Sequence, residues 1–190
     1  LIDDAWAKFL AENDFLTGIS LDGTKAVHDA LRVDPTGQGT FNTVMAATRV
    51  MDKYNAQYNI LSTVNTHVAR HAAQIYNFFK KSGFRYLQFI PCLDPLDGKP
   101  GELPFSLTPE RYSAFLKTTF DLWYEDMMKD DYVSIRYFDN LVGMLMGRRP
   151  EMCGMTGTCN RQLVVEADGG VYPCDFYVLD RWYMGNIRDM

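Results

Sequence analysis

Cys153, Cys159 and Cys174 stand in the pattern C-x5-C-x14-C, among Gly154, Gly157 and Pro173. Three thiols cannot all pair with one another as disulfides. Clustered thiolates in a Gly-rich segment suit Zn²⁺ or an iron–sulfur cluster, and both usually take four ligands. The spacing does not choose between them. It also leaves a blander reading, three unconnected small core residues. The fourth ligand is expected beyond Met190 or from a His. Cys92 is different. It lies in FIPCLDP at a strand end and reads as a buried structural thiol. His28, His67 and His71 read as solvated helix positions, since His71 would sit among Arg70 and Gln74, and no H-E-x-x-H context marks them as metal ligands. Asn65, Asp94 and Asp97 place some polar and acidic groups near strand ends, but form no acid pair at helical spacing with a nearby His.

The elements that must position these groups alternate. Phe15–Ser20 reads as a strand running into a loop with Gly23. Phe41, Val44, Met45, Thr48, Val50 and Met51 follow helical spacing over Thr40–Tyr54, with Thr40 as expected N-cap. Gln57–Val64 is a second strand, and Val68–Lys81 a second helix closed by Gly83. Arg85–Ile90 is a third strand, ended by Pro91. Thr108 and Pro109 open a long helix to about Lys129. Val133–Ile135 and Arg136–Met146 read as a short strand and a short helix. Strand–helix repeats of about 30 residues mean βαβ units and a parallel sheet. The fold class is therefore α/β, part of a β/α barrel or a doubly wound sheet, with chemistry at the C-terminal strand ends in a barrel. Those ends are Ser20, Val64–Asn65 and Pro91–Asp94. After Gly147 the pattern changes. Arg161–Glu166 and Val171–Tyr172 flank Asp168-Gly169-Gly170, a hairpin signal. The expected domains are 1–147 and a small Cys-rich segment, 148–190.

Composition excludes several classes. The chain has 19 Lys+Arg against 24 Asp+Glu, a net charge of −5, so no basic nucleic-acid footprint exists. Aromatic residues make up 14%, enough apolar area to argue against disorder. No apolar run approaches the roughly 20 residues of a membrane helix. Leu1–Asp4 reads LIDD, with no basic segment or cleavage site, which points to a cytoplasmic setting. No G-x-G-x-x-G or G-x-x-x-x-G-K occurs, which disfavours the corresponding nucleotide folds. Leu1–Asn13 is an amphipathic, helix-like stretch with no cap before it, and GNIRDM reads as the start of a new turn, so the chain reads as an excerpt.

The segment Cys153–Ile187 resembles the SPASM segment of radical S-adenosylmethionine enzymes, and the likeness is strongest to the anaerobic sulfatase-maturating enzymes. It rests on the three-cysteine spacing, on GGVYPCDFYVLD and on the downstream GNI. GISLDG, LQFIPCLDP, FDLWYED and VSIRYFDNL extend it over nearly the whole chain. The resemblance implies the C-terminal half of a partial β/α TIM-like barrel, followed by the start of a SPASM domain. It implies S-adenosylmethionine and [4Fe–4S] clusters as cofactors, three clusters in a full-length enzyme. Cys153, Cys159 and Cys174 match three ligands of one auxiliary cluster. The C-x3-C-x2-C motif of the radical-generating cluster is absent and is expected upstream, so this excerpt should be inactive alone. Ser20, Arg32 and Leu93 match cofactor-binding positions of the family, and Asp175 its proposed base. The implied reaction oxidises a Cys or Ser of a sulfatase polypeptide to Cα-formylglycine. Flavodoxin or ferredoxin is the implied kind of electron donor.

Other functions stay open at this point. One is another peptide-modifying SPASM enzyme that makes thioether or other links. Another is a zinc-stabilised peptide-binding module without catalysis. A third is an ordinary β/α barrel enzyme whose Cys segment is only structural. On the bland readings, Ser20 only satisfies a turn, Arg32 is a surface ion-pair partner, and Asp175 caps a turn or pairs with Arg181.

Overall fold

In the sequence YNILSTV, alternate residues Ile60, Ser62 and Val64 are buried while their neighbours are half-exposed. That period of two is what a pleated strand between two different surfaces requires. The computed structural model describes residues 2–96, 98–159 and 161–189. The chain divides into two compact units, Leu1–Asp139 and Asn140–Met190.

The first unit runs α1 (Asp4–Glu12), β1 (Thr17–Ser20), α2 (Lys25–Asp29), α3 (Phe41–Lys53), β2 (Tyr58–Val64), α4 (Thr66–Ala69), α5 (Ala72–Lys81), β3 (Tyr86–Pro91), α6 (Pro109–Met127) and β4 (Ser134–Ile135); α7 (Arg136–Leu145) follows. The four strands form one parallel sheet in the order β1-β2-β3-β4. Parallel neighbours need crossovers, and the helices between successive strands supply them. The mixed α/β class with a parallel sheet is thus the observed architecture.

The core is largely aromatic. Phe79 of α5 stacks on Phe89 of β3, and Phe89 meets Phe115 of α6 edge-on at 5.0 Å. Trp123 is buried, and its indole N–H donates to the Val133 carbonyl at 2.8 Å, so its one polar atom is satisfied. The loop after β1 turns at Gly23, where φ is +110° and a Cβ would come within 2.6 Å of the Ile75 side chain. Only glycine meets both demands.

Several local expectations need correction. The stretch expected as one helix over Val68–Lys81 is two, α4 and α5. Arg70 and His71 bond back three residues, to the His67 and Val68 carbonyls, and this tighter turn separates them. Asn65 starts α4 by accepting from the His67 and Val68 amides, both at 2.9 Å. Thr40 does not cap α3 with its side chain; the Asp29 carboxylate accepts from the Phe41 amide instead, at 2.8 Å. The first helix does have a cap, since Asp3 accepts from the Trp6 amide. Thr108 caps α6 as expected, with Pro109 in the first turn. α2 carried too little periodicity over five residues to be read from sequence.

The second unit holds α8 (Cys153–Thr156) and the antiparallel strands β5 (Val164–Val165), β6 (Gly170–Tyr172) and β7 (Gly185–Asn186), in the order β5-β6-β7. The expected hairpin is β5-β6. Gly169 has φ +88°, and the Asp168 carboxylate accepts from the Gly170 amide at 2.8 Å, so the D-G pair makes the turn. Among the described residues of this unit, Val171 is the only buried hydrophobic side chain. A unit with that little core needs another source of order.

One buried carboxylate ties α5 to α6. Asp126 accepts from the Tyr76 hydroxyl at 2.8 Å and from Lys80 Nζ at 2.7 Å. Burial and this carboxylate push the Tyr76 phenol well above its usual range. Asp126→Asn should lower the unfolding free energy by about 1–3 kcal/mol, the scale of leaving buried partners half-satisfied. Urea unfolding followed by tryptophan fluorescence measures it, and an unchanged midpoint would show that the triad contributes nothing net.

Candidate functional site

In a parallel sheet all C-terminal strand ends lie along one edge. Ser20 is the last residue of β1, exposed, in register with Leu61 of β2. Leu93 follows the end of β3 by two residues and is 60% exposed. Arg32, in the segment after α2, comes back to the same edge, where its Nη2 donates to Thr63 Oγ1 of β2 at 3.3 Å. A hydroxyl, a guanidinium and an apolar side chain thus stand at strand ends of one sheet, donors of the kinds that suit a polar cofactor with an aromatic base.

Arg32 is held by a residue that sequence reasoning missed. Asp22, 4% exposed, lies just past β1 in SLDG. Its Oδ2 accepts from Arg32 Nε at 2.5 Å, and its Oδ1 accepts from the Thr63 amide at 2.8 Å. The only sequence signal for it is a carboxylate immediately after a strand end, with an arginine ten residues on.

His28 is not a solvated helix position. It is fully buried, and its Nδ1 accepts from the Asp22 amide at 3.1 Å. That fixes the tautomer with the proton on Nε2, which donates to Thr40 Oγ1 at 3.0 Å. Thr40 in turn donates its hydroxyl proton to the Arg32 carbonyl. His67 and His71 are half-buried, with ring centroids 5.2 Å apart, edge to face. Asp94 is spent within its own loop, accepting from Ser106 Oγ at 2.5 Å and the Gly101 amide at 2.7 Å. The Ser106 hydroxyl, first, then the Gly101 amide hold its carboxyl below the ordinary value. Asn65 is the α4 cap, and Asp97 lies outside the described residues.

In the second unit, Cys153, Cys159 and Cys174 all line one cavity of about 890 Å³. Cys153 opens α8, Cys159 follows the left-handed turn at Gly157, and Cys174 follows β6 and Pro173. All four cysteines are free thiols, and Cys92 belongs to the first unit. Among the described residues, no three His, Cys, Asp or Glu groups are drawn to the spacing of a single metal ion. Three thiols on the wall of an open cavity suit a larger group, and the donor set fits a thiolate-ligated iron–sulfur cluster. Tyr177, Trp182 and Met184 complete an apolar wall, with Arg161 as a cation. Both features set the potential of such a cluster.

Asp175 opens a short 3₁₀ turn, Asp175–Tyr177, and its Oδ1 accepts from the Cys174 thiol at 3.2 Å. Nothing in its own segment takes this carboxylate out of water. Asp175 is exposed, because so little of this unit packs over it.

The chain has close relatives. Residues 153–190 match the SPASM iron–sulfur cluster-binding domain. The chain is 50% identical over 188 residues to the Cysteine-type anaerobic sulfatase-maturating enzyme of Clostridium novyi (strain NT), covering 99% of this chain and 50% of that protein. It is 33% identical over 201 residues to the Serine-type enzyme of Bacteroides thetaiotaomicron, covering 98% and 48%. It superimposes on the structure of native anSMEcpe with bound AdoMet with a TM-score of 0.93 at 51% identity, over 100% of this chain and 52% of that one.

The parallel α/β sheet and the three-cysteine segment together define an iron–sulfur protein of the radical S-adenosylmethionine/SPASM class. Within that class, the chain belongs with the anaerobic sulfatase-maturating enzymes. It spans about half the length of the curated relatives it matches.

The His28 site generates a pH prediction. Burial, first, and the Arg32 and Lys25 charges push its pKa below the ordinary 6.5, against Asp22 and Asp29, which raise it. The unfolded chain therefore takes up the proton first as pH falls. Stability is full above 6.5 and declines as pH drops through the window between 6.5 and the lower folded value. Urea unfolding across that window should show this slope, and His28→Gln should flatten it. An unchanged slope in the variant would remove His28 as the cause.

Proposed function

We propose that this chain is part of an oxidoreductase that converts a Cys side chain of a sulfatase polypeptide to Cα-formylglycine. The observation that carries the reading is the cavity that three free thiols line, with the Asp175 carboxylate beside Cys174. Cys rather than Ser as target is supported by 50% and 52% identity to Cysteine-type relatives, against 33% to a Serine-type one. A peptide substrate is supported by similarity to anSMEcpe with bound AdoMet and the Kp18Cys peptide, at a TM-score of 0.92. The four-stranded sheet is read as later βα units of a partial TIM-like barrel over 1–147, and 148–190 as the start of the SPASM domain. The same reading brings three [4Fe–4S] clusters to the whole enzyme, an electron donor such as flavodoxin or ferredoxin, and a cytoplasmic setting.

S-adenosylmethionine, cleaved with one electron from that donor, would supply a carbon radical able to take a hydrogen atom from the substrate Cβ. The Ser20 hydroxyl and the Arg32 guanidinium hold the polar groups of that cofactor, and Leu93 packs on its adenosine. Cys153, Cys159 and Cys174 hold an auxiliary [4Fe–4S] cluster as thiolates. Completing the oxidation needs a proton acceptor and an electron acceptor close together. Asp175 is the proton acceptor. Its Oδ1 accepts from the Cys174 thiol; as a cluster ligand Cys174 would be a thiolate, and that oxygen would be free to take a proton. A base must reach its proton within hydrogen-bond distance, and the residue next to a cluster ligand is held near the electron acceptor.

Two outcomes follow for the full-length enzyme. Replacing Cys153, Cys159 or Cys174 by Ala should each remove about four irons per chain, the content of one [4Fe–4S] cluster. Iron unchanged in all three variants would refute the ligand assignment. Asp175→Asn should keep S-adenosylmethionine cleavage and all iron, while formylglycine formation falls by about 10²-fold or more, the scale of a lost general base. Deuterium from a Cβ-labelled peptide should still reach 5′-deoxyadenosine. Full product yield from Asp175→Asn would return Asp175 to a purely structural role.

A further inference from the structure

Arg32 is fixed at both ends. Its carbonyl accepts from the Thr40 amide at 3.1 Å and from Thr40 Oγ1 at 3.0 Å. Its guanidinium is gripped along the Nε–Nη2 edge by Asp22, at 2.5 and 3.4 Å, and Nη2 also donates to Thr63 Oγ1. Among the described residues, Nη1 has no hydrogen-bond partner. The burial is uneven: the Asp22 side chain is 6% exposed and that of Arg32 is 32% exposed. A plain ion pair between loops would leave both partners wet. Here the carboxylate is taken out of water and satisfied by two groups of the scaffold, the Thr63 amide and the guanidinium. The remaining edge of the guanidinium stays open at the strand ends.

We propose that Asp22 is a positioning residue: it sets the plane of the Arg32 guanidinium so that the Nη1 edge meets the carboxylate or ribose oxygens of S-adenosylmethionine. The inference rests on the reading of Arg32 as a cofactor contact. The physical reason for such a brace is that an unrestrained arginine loses rotamer freedom when it binds. One already held by a forked pair has lost it on folding, so more of the hydrogen-bond energy appears as affinity. Asp22 also couples the grip to the sheet. Through the Thr63 amide it is anchored to β2, and through its own amide and His28 to Thr40, which holds the Arg32 backbone. The brace is therefore a closed ring of hydrogen bonds, with a single edge left for a ligand.

The test uses the full-length, anaerobically reconstituted enzyme, with S-adenosylmethionine binding read by equilibrium dialysis, and with iron content and melting temperature read in parallel. Asp22→Asn keeps an acceptor for the Thr63 amide and removes the charge that grips Arg32. It should weaken binding about ten- to hundredfold, the scale of a charge-assisted hydrogen bond, with iron unchanged. Arg32→Lys, which cannot fork, should weaken it similarly. The double variant should be no worse than either single one, because both remove the same interaction. Thr63→Val leaves the backbone amide intact and removes only the Nη2 contact; binding should weaken about two- to fivefold with no fall in melting temperature. If Arg32→Lys weakens binding while Asp22→Asn does not, the positioning role is overturned and the Arg32 reading survives. If Arg32→Lys binds as tightly as the native enzyme, the reading of Arg32 falls, and the proposal with it. If Asp22→Asn does not fold, Asp22→Glu, which keeps the charge but displaces it by one methylene, decides, and undiminished binding there overturns the role.

Discussion

A carboxylate buried where two parallel strands end must be neutralised, and the first unit is arranged around how that is done. Asp22 sits past β1 with almost no access to water. Its charge is answered by the Thr63 amide of β2 and by the guanidinium of Arg32. Removing either partner would leave a buried charge without compensation, which costs far more than the pair itself contributes. That demand fixes the path of the chain between β1 and α3. Arg32 has to return to the sheet edge, so the segment after α2 folds back, and His28 and Thr40 are drawn in to satisfy the backbone behind it.

The second unit meets the opposite problem. It has hydrophobic residues in quantity, including Leu163, Phe176, Trp182 and Ile187, yet leaves them exposed. Its three short strands form two ladders of two residue pairs each. With so little buried area, ligation by Cys153, Cys159 and Cys174, as proposed above, would supply ordering that packing does not. Folding and cofactor binding would then be linked, because the bound group would tie together ligands far apart in sequence. On that proposal the two units reach order by different physics, one by an aromatic core over a parallel sheet, the other by thiolates.

These two regimes also divide the chemistry. Groups at the strand ends of the first unit are held by hydrogen bonds to rigid elements, which suits orienting a cofactor to within fractions of an ångström. The Asp175 carboxylate is instead tied to a cysteine next to it in the chain. Its position follows that of Cys174 rather than any packing of its own, so its environment depends on what is bound in the cavity and on what covers the segment.

The strand–helix alternation, the parallel sheet, the D-G hairpin and the grouping of three cysteines were legible in the residues, because each is written in local period or spacing. Thr108 and Pro109 announced α6 by local chemistry alone. What required tertiary structure was the fate of polar side chains. Nothing near Asp29 in sequence says that it, and not Thr40, caps α3, since the contact closes across twelve residues. His28 read as solvated, and is buried with Asp22 and Thr40 engaging its two ring nitrogens. The third strand of the small sheet, β7, is two residues long and exists only because β6 offers it a free edge. The sequence by itself determined the class of the fold and the thiol set. Only the tertiary structure decided that Asp22 braces Arg32, because a buried charge selects its partner by proximity in space, and proximity in space has no signature in a run of residues.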